Sequence, residues 1–203
     1  MLWAKRPFDL FLSGLGLLGS FSLWALVAFS IKLDDGGPVF YSQGRVGKAG
    51  RSFRILKFRT MAPDSDERYG PLQAEEKDPR VTRVGRFLRA TALDELPQLV
   101  NIFKGDMSFV GPKALLPEEI EVSGDGKRIS QAQIPGFEKR HRVPPGLTGL
   151  TQVFAPRDIP RKKKFRYDLL YIKKQSFWLD MKLIGLSFWV TFRGKWEVRG
   201  NKI

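Results

Sequence analysis

The sequence predicts an α+β fold, predominantly helical with a short β-hairpin, carried on an N-terminal segment that belongs in a membrane. Three observations lead there: an uncharged apolar run near the N-terminus, one basic stretch of short strand-like pieces around a glycine turn, and helical spacing of apolar residues further on. At 203 residues and 42% hydrophobic content the chain can bury one core, and a second full domain would be cramped. The expected parts are residues 1–33 in the membrane, 34–175 as the folded body, and 176–203 as an interfacial amphipathic tail packed on that body. Cysteine is absent and His141 is the one histidine, which excludes thiolate nucleophiles and Cys- or multi-His zinc sites. Chemistry must rest on carboxylates, Lys/Arg, hydroxyls or a hard metal. A formal charge of +14 points to a polyanionic partner.

Leu10 to Ile31 is 22 residues without a charge, "LFLSGLGLLGSFSLWALVAFSI". As helix it extends ~33 Å, about the thickness of bilayer hydrocarbon. The run is too long for a signal peptide and no small-x-small cleavage site follows it. Lys5 and Arg6 precede it and Lys32 follows it, so both flanks favour the cytoplasmic side. A re-entrant hairpin turning near Gly19-Ser20-Phe21-Ser22 satisfies both flanks, and a single-pass anchor is the alternative; the residues alone leave both open. "GLGLLG" matches a dinucleotide fingerprint by spacing but lacks the preceding strand, and helix packing in lipid accounts for its glycines.

Asp34-Asp35-Gly36-Gly37-Pro38 is turn chemistry. "VFYSQGRVGKAGRSFRILKFRTM" then reads as the hairpin, with Arg45, Lys48, Arg51, Arg54, Lys57 and Arg59 and no acid among them, so that it is either a solvated basic hairpin or a phosphate-binding surface. Residues 62–79 read as a polar loop. Arg80, Arg83, Arg86 and Arg89 recur every third residue as a basic ridge, leading to Asp94 and Glu95. Leu96, Leu99, Val100 and Phe103 keep helical spacing and Gly105 can close that helix, which places Asp94 as its N-cap and Glu95 at its first position. A capping role alone explains both acids. The same geometry also lets them converge on a hard cation or a phosphate, with Asp94 kept ionised as a nucleophile requires.

"FRILKFRTM", "ALDELPQLVNIFKGDMSFVGP", "PPGLTGLTQV" and "KFRYDLLYIKKQSFWLDMKLI" resemble, in order and spacing, the bacterial sugar transferases, the monotopic phosphoglycosyl transferases. The resemblance runs from Lys5 to about Ile184. It implies transfer of a sugar 1-phosphate from a UDP-sugar to a polyprenol phosphate (undecaprenyl phosphate), with release of UMP, at the cytoplasmic face of the bacterial inner membrane. It implies Asp94 as the nucleophile, Glu95 as a ligand of Mg2+ beside Asp94, and phosphate contact by Arg89. It also implies a monotopic membrane protein with a re-entrant helix-break-helix, and a catalytic role for residues 34–175. The substrate-binding set expected on this basis is Lys57, Arg59, Arg89, Lys113 and Arg157. The partners are then the UDP-sugar, polyprenol phosphate and anionic membrane lipids, with no nucleic acid and with a homo-oligomer left open.

Three departures stand out. Relatives often carry Ser-Pro at the membrane break where Phe21-Ser22 stands here, G-P-R-P where Gly111-Pro112-Lys113-Ala114 stands, and R-P-G where Pro144-Pro145-Gly146 stands. Lysine keeps the charge of arginine but loses its fork. A catalytically silent assembly subunit and a membrane-tethered nucleic-acid binder are the alternatives; no helix-turn-helix, zinc-finger or RNP-like pattern accompanies the charge. His141 reads as a solvated or lipid-facing base, and Asp168 as either a supporting acid or a solvated helix residue. Arg161-Lys162-Lys163-Lys164 reads as an anionic-lipid contact, and Trp178, Trp189 and Trp196 as headgroup-zone anchors.

Overall fold

The structure is a computed structural model, and it describes residues 4–63, 65, 78–117, 120–122, 128–156 and 159–193. It is mostly helical with three small two-stranded sheets among those residues.

The apolar run folds as two helices, α1 (Lys5–Gly19) and α2 (Phe21–Asp35), bent by 58° at Ser20. The break has no proline and is satisfied locally. The Ser20 hydroxyl donates to the Gly16 carbonyl at 2.6 Å and accepts the Trp24 indole N–H at 3.0 Å. Each helix has 15 residues, about 22 Å, and no single helix among the described residues is long and apolar enough to cross a membrane. The bent pair passes that requirement together. At its tip Leu18 and Phe21 are 79% and 76% exposed, so the bend presents apolar side chains outward. Gly36, in left-handed conformation at φ 70°, ends α2.

The expected hairpin forms as antiparallel β1 (Phe40–Val46) and β2 (Ser52–Phe58), with Tyr41 opposite Lys57. Next come α3 (Arg83–Ala90) and α4 (Gln98–Lys104), the latter closed by Gly105 at φ 95°. The sequence reading placed the start of α4 too early. Asp94 is not its N-cap: Leu93–Glu95 is a separate 3-10 turn, and Pro97 is the cap. Pro97 has no N–H to give the Leu93 carbonyl, which instead accepts from Leu96 N at 3.1 Å and keeps the turn tight. Arg80 is likewise no part of the ridge; it precedes α3 and pairs with Asp78.

Beyond Gly105, β3 (Ser108–Val110) pairs in parallel with β6 (Gly146–Thr148), and β4 (Ile120–Val122) pairs with β5 (Arg128–Ser130). The helices α5 (Phe137–Arg140), α6 (Leu150–Phe154), α7 (Arg161–Lys174) and α8 (Phe177–Phe192) complete the order. The core is a chain of small clusters. Val27 and Ile31 of α2 pack with Phe58 and Leu88, Ile55 with Leu99 and Ile102, and Val110 with Val153, Tyr171 and Leu183. The apolar helices α1 and α2 and the tail helix α8 thus share the core of the body. Trp178 and Trp189 of α8 are exposed, whereas Trp196 lies outside the described residues.

Candidate active site

Asp94 and Glu95 are presented by an abrupt change of direction after α3. Ala92 takes the left-handed conformation at φ 55°, strained for a residue with a Cβ, and turns the chain into the 3-10 turn that carries both acids. Lys57 of β2 points between them, with Nζ 2.6 Å from Glu95 Oε1 and 3.3 Å from Asp94 Oδ2. What holds β2 there is Asn101 of α4. Its side chain acts as an extra strand edge, accepting from Leu56 N at 3.0 Å and donating to the Arg54 carbonyl at 2.8 Å.

The two acids are electrostatically unequal. Burial pushes the Asp94 carboxyl up and the neighbouring Glu95 adds to this, while Lys57 and Arg89 oppose it. Burial also opposes the charge on Glu95, but Lys57, Lys113 and the Gln98 amide outweigh it and hold Glu95 below the usual carboxylate range. For Lys57 burial is again the largest influence, and the two carboxylates overcome it and hold the ammonium above its ordinary value. Glu95 is therefore the fixed anion of the pair, and Asp94 the more basic one.

Of the other expected residues, Arg89 lies close enough to lower Asp94 and is steadied by Nε donating to Thr60 Oγ1 at 3.1 Å. Lys113 is exposed, and its charge is felt at Glu95, where it helps to hold the carboxylate ionised. Arg59 is not brought to this cluster. It is buried, with its guanidinium on the Asp35 carboxylate and on the carbonyls of Pro38 and Met61, where it ties the end of α2 to β2. The basic hairpin does not converge on one anion either, since Arg54 turns to Ser42 and Arg45 to Gln43. Arg157 lies outside the described residues. Two side chains missed by the sequence reading belong here: Asn101, and Gln98, which is 2% exposed and one helical turn from Asp94. The helical periodicity of "DELPQLVN" was the available signal for both.

One further expectation is corrected, for His141, and one open alternative is decided, for Asp168. His141 is buried rather than solvated, with Nδ1 2.7 Å from the Phe137 carbonyl, and burial followed by Arg140 pushes its pKa down to about 4, so it is neutral. Asp168 is buried in an ion pair with Arg140 rather than solvated.

No group of three or more His, Cys, Asp or Glu able to hold a metal occurs among the described residues. Two hard carboxylates nonetheless suit Mg2+, which commonly takes one or two carboxylates and completes its shell with water and substrate phosphate. Lys57 occupies the space between those carboxylates as a cation already, which shows that the pair binds positive charge. The arrangement offers a buried basic carboxylate beside a fixed anion, rimmed by Lys57, Arg89 and Lys113. Its chemistry suits in-line attack on a phosphorus whose charge those cations balance.

Comparison with known proteins points to one family. Residues 1–194 match the family described as bacterial sugar transferase. The chain is 42% identical over 190 residues to undecaprenyl-phosphate glucose phosphotransferase of Komagataeibacter xylinus, covering 90% of this chain and 35% of that protein. It is 39% identical over 197 residues to the UDP-glucose:undecaprenyl-phosphate glucose-1-phosphate transferase of Klebsiella pneumoniae, covering 94% of this chain and 40% of that protein. The exopolysaccharide production protein PSS of Rhizobium leguminosarum bv. phaseoli is 41% identical, with 89% of this chain and 90% of that protein covered. The chain thus spans well under half the length of the first two relatives and most of the third.

Proposed function

The chain belongs to the bacterial sugar transferase family, and from that membership we propose that it transfers a sugar 1-phosphate from a UDP-sugar to undecaprenyl phosphate at the cytoplasmic face of the inner membrane. The observation that carries the reading is the pair of buried Asp94 and half-buried Glu95, clasped by Lys57. UDP-glucose is the donor to test first, because the names of two relatives carry glucose.

An Asp94 oxygen attacks the phosphorus that bears the sugar, and the bond from that phosphorus to the bridging oxygen breaks, with UMP leaving. The polyprenol phosphate oxygen then attacks the same phosphorus, which returns the Asp94 carboxylate and forms the lipid-linked diphosphate. Lys57, Arg89 and Lys113 orient the diphosphate and offset its charge. Asp94 and Glu95 would hold Mg2+, which supplies charge neutralisation on the transferring phosphate. A raised Asp94 pKa makes the carboxylate a stronger nucleophile wherever it is ionised.

Incubating the protein with UDP-glucose and no lipid acceptor should release at most one UMP per active site and leave the chain heavier by one glucose phosphate. Asp94→Asn should keep the fold, since Asn is nearly isosteric and Lys57 keeps Glu95, yet lose both adduct and turnover. Brisk transfer without an adduct would instead mean direct displacement. Turnover should stop in excess chelator and return with Mg2+; full activity in chelator would remove the metal from the reading.

A further inference from the structure

The proposed chemistry leaves unused the most enclosed ion pair of the described residues. Arg140 of α5 and Asp168 of α7 have side chains only 2% and 3% exposed, with Nη2 to Oδ2 at 2.8 Å. We propose that Arg140, locked by Asp168, is a positioning residue that fixes the main chain of Lys113 and thereby sets the Lys113 ammonium over the donor-phosphate site. This rests on the reading that Lys113 meets the diphosphate of the UDP-sugar.

The bonds run in one direction. Arg140 Nη2 donates to the Lys113 carbonyl at 2.7 Å, and Nε donates to Asp168 Oδ2 at 3.0 Å. Asp168 Oδ1 in turn accepts from Thr151 Oγ1 of α6 at 2.5 Å. On the far side Nη1 lies 3.3 Å from His141 Nε2, an acceptor when the ring is neutral with its proton on Nδ1, facing the Phe137 carbonyl. The guanidinium also stacks over Phe165, 4.7 Å from the ring centroid. Its planar fork therefore reaches the Lys113 loop, α7 and the neighbouring His141 at once, which a lysine cannot do.

Around Lys113 the chain is fastened on both sides by backbone bonds. Gly146 N donates to the Pro112 carbonyl and Val46 N to the Leu115 carbonyl, both at 2.9 Å. The glycines of "VGP" and "PPGLTG" let these backbones approach: a Cβ on Gly146 would fall 2.0 Å from Gly111 N, and one on Gly149 2.2 Å from the Gly111 carbonyl oxygen. His141, next to Arg140, steadies the β1–β2 turn, where Ala49 N donates to its carbonyl at 2.7 Å. A charged pair this enclosed adds little net stability over an apolar pair of equal volume. Fixing one carbonyl in a loop that carries a substrate cation is a task an apolar pair could not perform.

The test is a double-mutant cycle with UDP-glucose in membranes containing undecaprenyl phosphate. Arg140→Lys keeps the charge beside Asp168 and loses the fork, so KM for the donor should rise about tenfold while kcat stays within about twofold. Lys113→Met should raise KM similarly, and adding Arg140→Lys to it should change KM by less than about twofold, because the positioned group is gone. Additive effects would overturn the inference and leave the functional reading standing. The variant Arg140→Met with Asp168→Leu, which refills the space without charge, should fold with a Tm near wild type and still show the raised KM. A normal KM in that folded variant overturns the inference too. If Lys113→Met leaves KM unchanged, or wild type accepts no UDP-sugar, the functional reading of Lys113 fails and this proposal with it.

Discussion

Lys57 is the residue on which the unequal titration of the two acids depends, and its removal yields a signed prediction. As the proposed nucleophile Asp94 would act in its ionised form, so the rate should climb as pH rises through its raised pKa. Lys57 lowers that pKa, whereas burial and Glu95 raise it. In Lys57→Met the two raising influences remain, and the acid limb of kcat/KM should move to higher pH. A limb that stays in place would mean that Asp94 is not the group being titrated. At this scale the sequence disclosed residue types better than their surroundings. The Asp-Glu pair stood out against a basic background, but the burial of His141 and Asp168 did not. Both are polar residues in basic segments, and what makes them structural is a partner on another element: Arg140 reaches Asp168 across 28 positions, a pairing that no local pattern encodes.

The elements around the site are fixed by close backbone approach, and Gly85 of α3 is the sharpest case. A Cβ there would fall 2.0 Å from the Thr60 carbonyl oxygen. Alanine is the better helix former by about 1 kcal/mol, but contact with a backbone atom cannot be relieved by a rotamer change, and overpacking costs about 1–3 kcal/mol. The clash should win. Gly85→Ala should lower Tm by a few degrees and, by moving α3 away from Thr60, loosen Arg89 and raise KM for the donor; an unchanged Tm and KM would show that α3 tolerates the shift. The β1–β2 hairpin and the Gly105 stop were legible because alternation and a left-handed glycine are local signals. Asp94 was misplaced as a cap because the helical spacing of Leu96, Leu99 and Val100 hides the missing N–H of Pro97. The β3–β6 pair escaped notice because three-residue strands 38 positions apart, Ser108 opposite Gly146, carry no periodic signature.

Across the whole molecule, both ends of the apolar helix pair are fastened to one body, and this bears on how the chain meets a bilayer. At the start of α1, Lys5 Nζ lies 2.5 Å from Asp180 Oδ2 of α8 and 3.3 Å from the Tyr171 hydroxyl. Arg6 donates to the carbonyls of Ile102 and Phe103 at 2.6 and 2.8 Å, and Phe109 N donates to Asp9 Oδ1 at 3.1 Å. At the end of α2, Asp35 holds Arg59, and Asp34 accepts from Val84 N at 3.1 Å. A spanning arrangement would put about 30 Å of hydrocarbon between Lys5 and Asp180. It would also leave a buried carboxylate unpaired, at a cost of about 3–5 kcal/mol. The polar flanks and the exposed apolar tip at Leu18 and Phe21 fit a pair that enters and leaves by one leaflet. Single cysteines introduced into this cysteine-free chain at Ala4 and Lys48, both exposed, should therefore stay unlabelled by an impermeant maleimide in intact spheroplasts and both react after lysis. Labelling of Ala4→Cys alone before lysis would establish a crossing helix. It would also require the Lys5–Asp180 contact to be absent in the membrane, so a charge swap, Lys5→Asp with Asp180→Lys, should then rescue nothing. In the re-entrant arrangement that swap should restore much of the stability that either single change removes.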